Sequence, residues 1–562
     1  MDNQTNSAAG PTVSLASVPR PGNEPVLTYA PGTPERTAIS KALKGLKAQP
    51  AEVPLLIGGR EIRTGVLADC VSPHRHHEVL GRYHCAGPAQ VDAAIDAALR
   101  AKPAWEALPW EQRASIFLKA AELLAGPWRQ ILNGATMLNQ SKTVQQAEID
   151  AACEMIDFLR FNVSFAAQIY ADQPQNPTSG VWNRLDYRPL EGYVAAITPF
   201  NFTAIAGNLP ASAALLGNTV VWKPASTAVL SGYQLMQLFA AAGLPAGVIN
   251  FVPGPAREVG PPLLSHPLLG GVSFTGSTVT FRRIWQDIAA GLDRYRSYPR
   301  LVGETGGKNF VFAHPSADAP ALVTALVRGA FEYQGQKCSA ASRVYVAASL
   351  WDEVLERLSA VTAGIRYGAV EDFGNFMGAV IDQAAFRRIT GYIETARAAP
   401  GASIVAGGAY DDSVGYFVGP TVITTDDPRF VTMEEEIFGP VLTLFRYEDL
   451  RVDQALSLCA DTSPYGLTGS IFAQDRSALS QMERALRYSA GNLYINDKPT
   501  GAVVGQQPFG GGRTSGTNDK AGGAANLLRW LSPRTIKETF NPPADYEYPY
   551  MRAEIAQGDG DA

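Results

Sequence analysis

A mostly parallel, doubly wound α/β protein of two or more domains is predicted by three observations. At 562 residues the chain exceeds the roughly 250–300 residues at which a single core stops growing. Between about 193 and 305, short apolar strands at 194–197, 219–222, 248–252 and 271–274 alternate with helical segments, as in a parallel sheet with crossover helices. A second alternating set begins near 309–312 and runs to about 500, so there are two α/β halves, similar in kind but without an internal repeat.

Residues 1–35 are rich in Pro, Gly, Ser and Asn and read as an extended arm. Val91, Ile95 and Leu99 recur every four residues, as do Ile116, Ala120 and Leu124, predicting two amphipathic helices. Ser141 is suited to cap a long helix reaching to about 170, with Val144, Ala151, Met155, Phe158 and Leu159 on its apolar face and Glu148 and Arg160 among its charges. The stretch 172–180 is a break. Over 181–188, Val181, Leu185 and Tyr187 point one way and Arg184, Asp186 and Arg188 the other. With Gly192 and the apolar run after it, this predicts an exposed β-hairpin over 177–197. After about 530 the chain has Pro, Tyr and Phe but little periodicity, and reads as a tail that packs on a neighbour.

Composition narrows the function classes. A hydrophobic content of 46% with 18% charged residues suits a soluble globular protein with large cores. The net charge of −6 and the lack of a basic block argue against a nucleic-acid partner, and no apolar run is long enough for a membrane span. The N-terminal stretch has neither an apolar signal core nor an Arg-rich transit pattern, which makes the cytoplasm the expected compartment. Five scattered cysteines without CxxC spacing suggest a reducing compartment and no metal site.

Chemistry is expected at Cys338. A cysteine taken blind is more often a small buried hydrophobe than a nucleophile. Its neighbours Gly335, Lys337, Ser339 and Ala340 are small or polar, the open setting that a reactive thiolate needs. Upstream come Thr198-Pro199-Phe200-Asn201-Phe202, Trp222-Lys223-Pro224-Ala225-Ser226, Phe274-Thr275-Gly276-Ser277 and Val302-Gly303-Glu304-Thr305-Gly306-Gly307-Lys308-Asn309; downstream lies Glu434-Glu435-Glu436-Ile437-Phe438-Gly439-Pro440. In that order and spacing, from about 50 to 540, the chain resembles the aldehyde dehydrogenase superfamily.

The resemblance implies a Rossmann-type dinucleotide-binding domain (36–176 and 198–305), a catalytic α/β domain (306–529), and an oligomerisation flap with the tail (177–197 and 530–562). It implies Cys338 as nucleophile, Asn201 as an oxyanion donor beside the Cys338 backbone N–H, and Glu304 as the base that activates water. Residue by residue, Asn201 could instead be a turn former and Glu304 a loop cap. For the cofactor, the resemblance implies Lys223 on the adenosine ribose, Glu436 on the nicotinamide ribose, Phe438 beside the ring, and Thr198 in contact. Gly276, Ser277 and Thr278 leave a strand and open a helix, a setting for a pyrophosphate. NAD is the expected cofactor. Ser226 replaces the glutamate that many members carry three residues after the lysine, which leaves NADP open.

The substrate is expected to be read by the 496–509 loop. The stretch 494–511, with Ser515-Gly516-Thr517-Asn518-Asp519-Lys520 and Lys337-Cys338-Ser339-Ala340, resembles the 1-pyrroline-5-carboxylate dehydrogenase branch of the superfamily. That branch implies oxidation of L-glutamate γ-semialdehyde to L-glutamate in proline breakdown. Backbone N–H groups of Gly501 and Ala502 and the Ser339 hydroxyl would hold the amino-acid head, Phe202 and Phe509 would wall the stem, and Glu148 is a further candidate contact. Some members place serine at Ala502. The alternatives are a Gly-rich turn that only shapes the sheet edge, a dehydrogenase for succinic or aminoadipic semialdehyde, and an inactive nucleotide-binding scaffold. A homodimer built through the hairpin is expected, with higher assembly and transient contact with a proline dehydrogenase left open.

Overall fold

The structure is a computed structural model that describes residues 17–176 and 178–552. The start of the expected arm (1–16), residue 177 and the end of the expected tail (553–562) lie outside the described residues.

Two seven-stranded sheets organise the chain. In the first, Ile249–Phe251, Thr219–Lys223, Tyr193–Ile197, Leu269–Thr275 and Arg300–Glu304 lie side by side and parallel, and Leu55–Ile57 with Arg60–Ile62 extends one edge antiparallel. Strand order reverses between Tyr193–Ile197 and Leu269–Thr275, and such a switch point opens a crevice at the carboxyl ends of its strands. In the second sheet, Thr421–Thr425, Val441–Tyr447, Ala341–Ala347, Asn309–Ala313, Thr468–Phe472 and Asn492–Ile495 run parallel, with Ala402–Ala406 antiparallel at the edge. The central strands are covered on both faces, which is why they read as unbroken apolar runs. No described helix is long and apolar enough to cross a membrane.

The expected hairpin over 177–197 does not form. Strand Val181–Pro189 pairs antiparallel with Leu531–Thr539, from Leu531 opposite Pro189 to Thr539 opposite Val181. Tyr193–Ile197 has no alternation because it is buried inside the first sheet. The segment after 530 is therefore a strand, and the partner of 181–189 lies too far along the chain for a local pattern to reveal.

Ser141 is not an N-cap. It takes a left-handed conformation (φ 54°, ψ 43°) that ends helix Arg129–Gln140. Its Oγ accepts from Ala379 N at 2.9 Å and its carbonyl from Gln334 Nε2 at 3.0 Å, so its polar groups serve the catalytic half instead. The helix resumes at Val144–Ala147, widens into a π-turn over Glu148–Glu154, and continues as Met155–Ala171. Such wide turns are frequent at functional sites.

Candidate active site

The segment before Cys338 is bent by three consecutive left-handed residues, Tyr333 (φ 53°), Gln334 (φ 53°) and Gly335 (φ 64°). For the two non-glycine residues this costs on the order of 1–3 kcal/mol each and persists only where surroundings impose it. Here buried amides impose it. Gln334 Nε2 donates to the carbonyls of Ser141 and Ala379 while its Oε1 accepts from Gly378 N; Gln336 Oε1 accepts from Ile381 N. Asn309 Nδ2 donates to the carbonyl of Cys338 at 2.7 Å and of Ala340 at 2.8 Å. A Cβ on Gly307 would run into the Cys338 carbonyl, so only glycine lets these two segments touch. Cys70, Cys85, Cys153 and Cys459 are buried, whereas Cys338 is partly open.

Burial, then the carboxylates of Glu304 and Glu436, push the Cys338 thiol up to about 12, against the backbone N–H groups of Cys338 and Ser339. These surroundings favour the neutral thiol, so a nucleophilic role at this sulfur requires that its proton be lost. Glu304 ends strand Arg300–Glu304 and accepts from Gly511 N at 3.3 Å. Burial chiefly, with Asp519 adding, raises its carboxyl well above the ordinary range, opposed by Gly511 N and Lys520. Such a carboxylate can take a proton near neutral pH. Asn201 Nδ2 donates to the Gln336 carbonyl at 3.0 Å, so one N–H fixes the amide beside the cysteine loop and a second remains for another acceptor.

The cofactor candidates surround the switch-point crevice. Thr198 follows strand Tyr193–Ile197, and its Oγ1 accepts from Trp222 Nε1 at 2.9 Å. Ser277 caps helix Thr278–Ala289 by accepting from Thr280 N, and Thr278 Oγ1 accepts from Gly306 N at 3.3 Å. Gly276 N donates to the Glu304 carbonyl at 3.1 Å, and a Cβ there would press on the Phe274 ring. Burial alone lowers Lys223 to about 8, an ammonium with no compensating carboxylate. Glu436 accepts from Gly307 N at 2.8 Å, and burial raises its carboxyl to about 6 against that N–H and Lys308. Phe438 (φ 57°) stands edge-on to Phe200 with ring centroids 5.9 Å apart. A helix N-terminus for a pyrophosphate, an uncompensated ammonium and a carboxylate suited to hydroxyl donors fit a dinucleotide. Ser226 is exposed and brings no carboxylate to this crevice.

On the substrate side, Ser339 Oγ lies 2.7 Å from Thr500 Oγ1, joining the residue after the nucleophile to the 496–509 loop. Gly501 is exposed and Ala502 half-buried, while Phe509 is half-buried and exchanges backbone hydrogen bonds with Ala521. The Phe202 ring lies under the buried Lys142 ammonium, 4.2 Å from its centroid. Lys142 pairs with Asp150 at 2.7 Å, and Asp150 also accepts from Thr203 N and Ala204 N at the start of helix Thr203–Leu215. That π-turn carboxylate thus holds the helix that follows Asn201 and Phe202.

Glu148 does not reach the site. It is fully buried and accepts from Leu27 N, Tyr29, Asn133 and Arg129, so its oxygens are spent on internal partners. Glu154, six residues further along and half-buried, was not among the residues the sequence singled out. Burial first, and Asp150 next, raise its carboxyl well above the ordinary range, opposed by Lys142 and Lys337. Thr500 and Asn309 were also missed as site residues. Both lie within motifs noticed for other members, Asn309 directly after Gly307 and Lys308.

A model of the Aldehyde dehydrogenase family matches residues 63–536. The mitochondrial Delta-1-pyrroline-5-carboxylate dehydrogenase of Dictyostelium discoideum is 51% identical over 538 residues, 95% of this chain and 96% of that protein. The crystal structure of the Delta-pyrroline-5-carboxylate dehydrogenase from Mycobacterium tuberculosis bound with NAD has a TM-score of 0.93 at 53% identity, covering 96% of this chain and 100% of that chain. Proline utilization A from Bdellovibrio bacteriovorus has a TM-score of 0.87 at 32% identity, covering 94% of this chain and 54% of that one.

Proposed function

Because this chain belongs to the aldehyde dehydrogenase family, we infer that it oxidises L-glutamate γ-semialdehyde, the hydrolysed form of 1-pyrroline-5-carboxylate, to L-glutamate with NAD in proline catabolism. The observation that carries the substrate is the bond between Ser339 and Thr500, which sets the 496–509 loop one residue from the reacting sulfur.

The proposed roles follow from the geometry. Cys338 passes its proton to solvent, its sulfur adds to the aldehyde carbon, and the electron pair of the C=O π bond moves onto the carbonyl oxygen as an oxyanion. The free N–H of Asn201 and the backbone N–H of Cys338 receive it. Bound NAD supplies a hydride acceptor, after which the adduct is a thioester on Cys338. Glu304 then takes a proton from water, the hydroxide adds to the thioester carbon, the C–S bond breaks to release L-glutamate, and the leaving Cys338 thiolate takes the proton back from Glu304. Thr198, Lys223, Gly276, Ser277, Thr278, Glu436 and Phe438 hold the dinucleotide. Gly501, Ala502 and Ser339 hold the substrate carboxylate, Phe202 and Phe509 flank its stem, and Glu154 receives its ammonium group.

In this reading residues 36–176 and 198–305, together with strand Tyr193–Ile197, form the cofactor domain and 306–529 the catalytic domain. The ribbon of Val181–Pro189 and Leu531–Thr539 joins a second copy into a homodimer, supported by the exposed Trp182 and Phe540 at its end. A transient contact with a proline dehydrogenase is supported by the likeness to proline utilization A. Cytoplasmic residence, the expectation from residue composition, is tested by cell fractionation, since the Dictyostelium relative is named mitochondrial.

The test is reduction of NAD, and separately NADP, by the purified protein with pyrroline carboxylate and with succinic and aminoadipic semialdehydes. Preference for pyrroline carboxylate supports the loop assignment. Preference for another semialdehyde keeps the chemistry and rejects the loop assignment.

A further inference from the structure

One side chain ties the N-terminal arm, the helix behind the site and the 496–509 loop together. Asn23 Nδ2 donates to Asp157 Oδ2 at 2.8 Å and to the carbonyl of Val504 at 2.8 Å, and Gln506 Nε2 donates to Asn23 Oδ1 at 2.9 Å. A primary amide has two N–H donors. Both are spent here, one on helix Met155–Ala171 and one on the loop.

The arm is fixed over the residues that follow this contact. Glu24 N donates to Asp157 Oδ1 at 2.7 Å, and the Glu24 carboxylate pairs with Arg129 at 2.6 Å and Arg160 at 2.7 Å. Further along, Leu27 N and the Tyr29 hydroxyl bind the buried Glu148. Within the loop, Val504 packs into the main core, a Cβ on Gly505 would collide with the Phe161 ring, and the backbone N–H groups of Gln506 and Gln507 close a turn on the Val503 carbonyl. Packing therefore keeps the loop folded, while Asn23 holds the Val504 carbonyl, two residues from Ala502.

We propose that the arm is a strap for the substrate loop and that Asn23 is a specificity-positioning residue, setting the Gly501 and Ala502 backbone N–H groups to receive the substrate carboxylate. The proposal rests on the assignment of the 496–509 loop as the carboxylate site. A displacement of such donors by about 1 Å is enough to cost a large factor in rate. An aldehyde without a carboxylate does not use these donors and is indifferent to the strap.

The test compares full-length wild type, Asn23→Ala and Asn23→Asp with NAD, using pyrroline carboxylate and propionaldehyde as substrates. L-glutamate serves as an inhibitor of the propionaldehyde reaction. In Asn23→Ala the KM for pyrroline carboxylate and the Ki of L-glutamate rise about tenfold, the loss expected from one or two hydrogen bonds. The kcat on propionaldehyde and the KM for NAD stay unchanged. Asn23→Asp, which sets a carboxylate against Asp157 and the Val504 carbonyl, loses more. An unchanged Ki in both variants overturns the strap, and so does an equal loss on propionaldehyde, which would mean general support of the fold. A wild type that L-glutamate does not inhibit overturns the carboxylate assignment itself, whatever the variants do.

Discussion

Asn309 holds the carbonyl oxygens on both sides of Ser339, donating to Cys338 at 2.7 Å and to Ala340 at 2.8 Å, while its Oδ1 accepts from Thr468 N at 3.1 Å. One buried amide thereby fixes the nucleophile loop to two strands of the second sheet. In Asn309→Leu these groups lose their partner, and each buried polar group left unpaired costs about 1–3 kcal/mol. The expected outcome is a lower melting temperature and a kcat reduced by at least about tenfold, with the KM for NAD little changed. Thermal denaturation and steady-state kinetics on the same preparation check it.

Glu436 carries a pH signature. Burial raises its carboxyl to about 6, so it is ionised at pH 7.5 and protonated at pH 5. In the proposed role ribose hydroxyls donate to the Glu436 carboxylate, so NAD binds the ionised form better and affinity falls as pH drops through about 6. The KM for NAD should rise several-fold between pH 7.5 and 5. In Glu436→Gln it should be high and flat over that range.

The arm depends on Glu148. Burial works to raise this carboxyl, but hydrogen bonds from Arg129, Leu27 N and Tyr29 outweigh it and hold the carboxyl below its ordinary value of 4.5. A carboxyl depressed in the folded state stabilises above its unfolded value, and the contribution is lost as pH falls through the lower folded one. The arm should therefore stay docked at neutral pH and loosen only in strong acid. Glu148→Ala leaves Arg129 without its buried partner, at a cost of about 3–5 kcal/mol. The expected reading is a drop in melting temperature and faster proteolysis within 17–33 at pH 7.5.

The proposed ammonium contact at Glu154 can be told apart from the chemistry. In its proposed role, Glu154→Gln should raise the KM for pyrroline carboxylate about tenfold while leaving propionaldehyde turnover near wild type, since an amide cannot ionise as the substrate ammonium group arrives. Equal losses on both substrates would remove Glu154 from the amino-group site.

Much of this was legible in the residues because periodicity and short motifs are local. The strands of the cofactor half announce themselves as apolar runs between glycines, and Cys338, Glu304 and Asn201 each sit within a recognisable stretch. What escaped was set by distant partners. Val181–Pro189 finds its mate at Leu531–Thr539, and Ser141 loses its capping role to Ala379 and Gln334. Glu148 and Glu154 lie six residues apart on one helical stretch (154 − 148), and the π-turn between them decides which is spent on the arm and which stays partly open. Nothing in their spacing distinguishes them.

The covalent role of Cys338 is tested most directly in Glu304→Gln. This variant lacks the proposed base for water but keeps the thiol. Mixed with NAD and pyrroline carboxylate, it should give a burst of about one NADH per active site and then stall. Mass spectrometry of the quenched protein should find a glutamyl thioester on the peptide carrying Cys338. NADH formation without an adduct there, or an adduct on any other cysteine, would contradict the account.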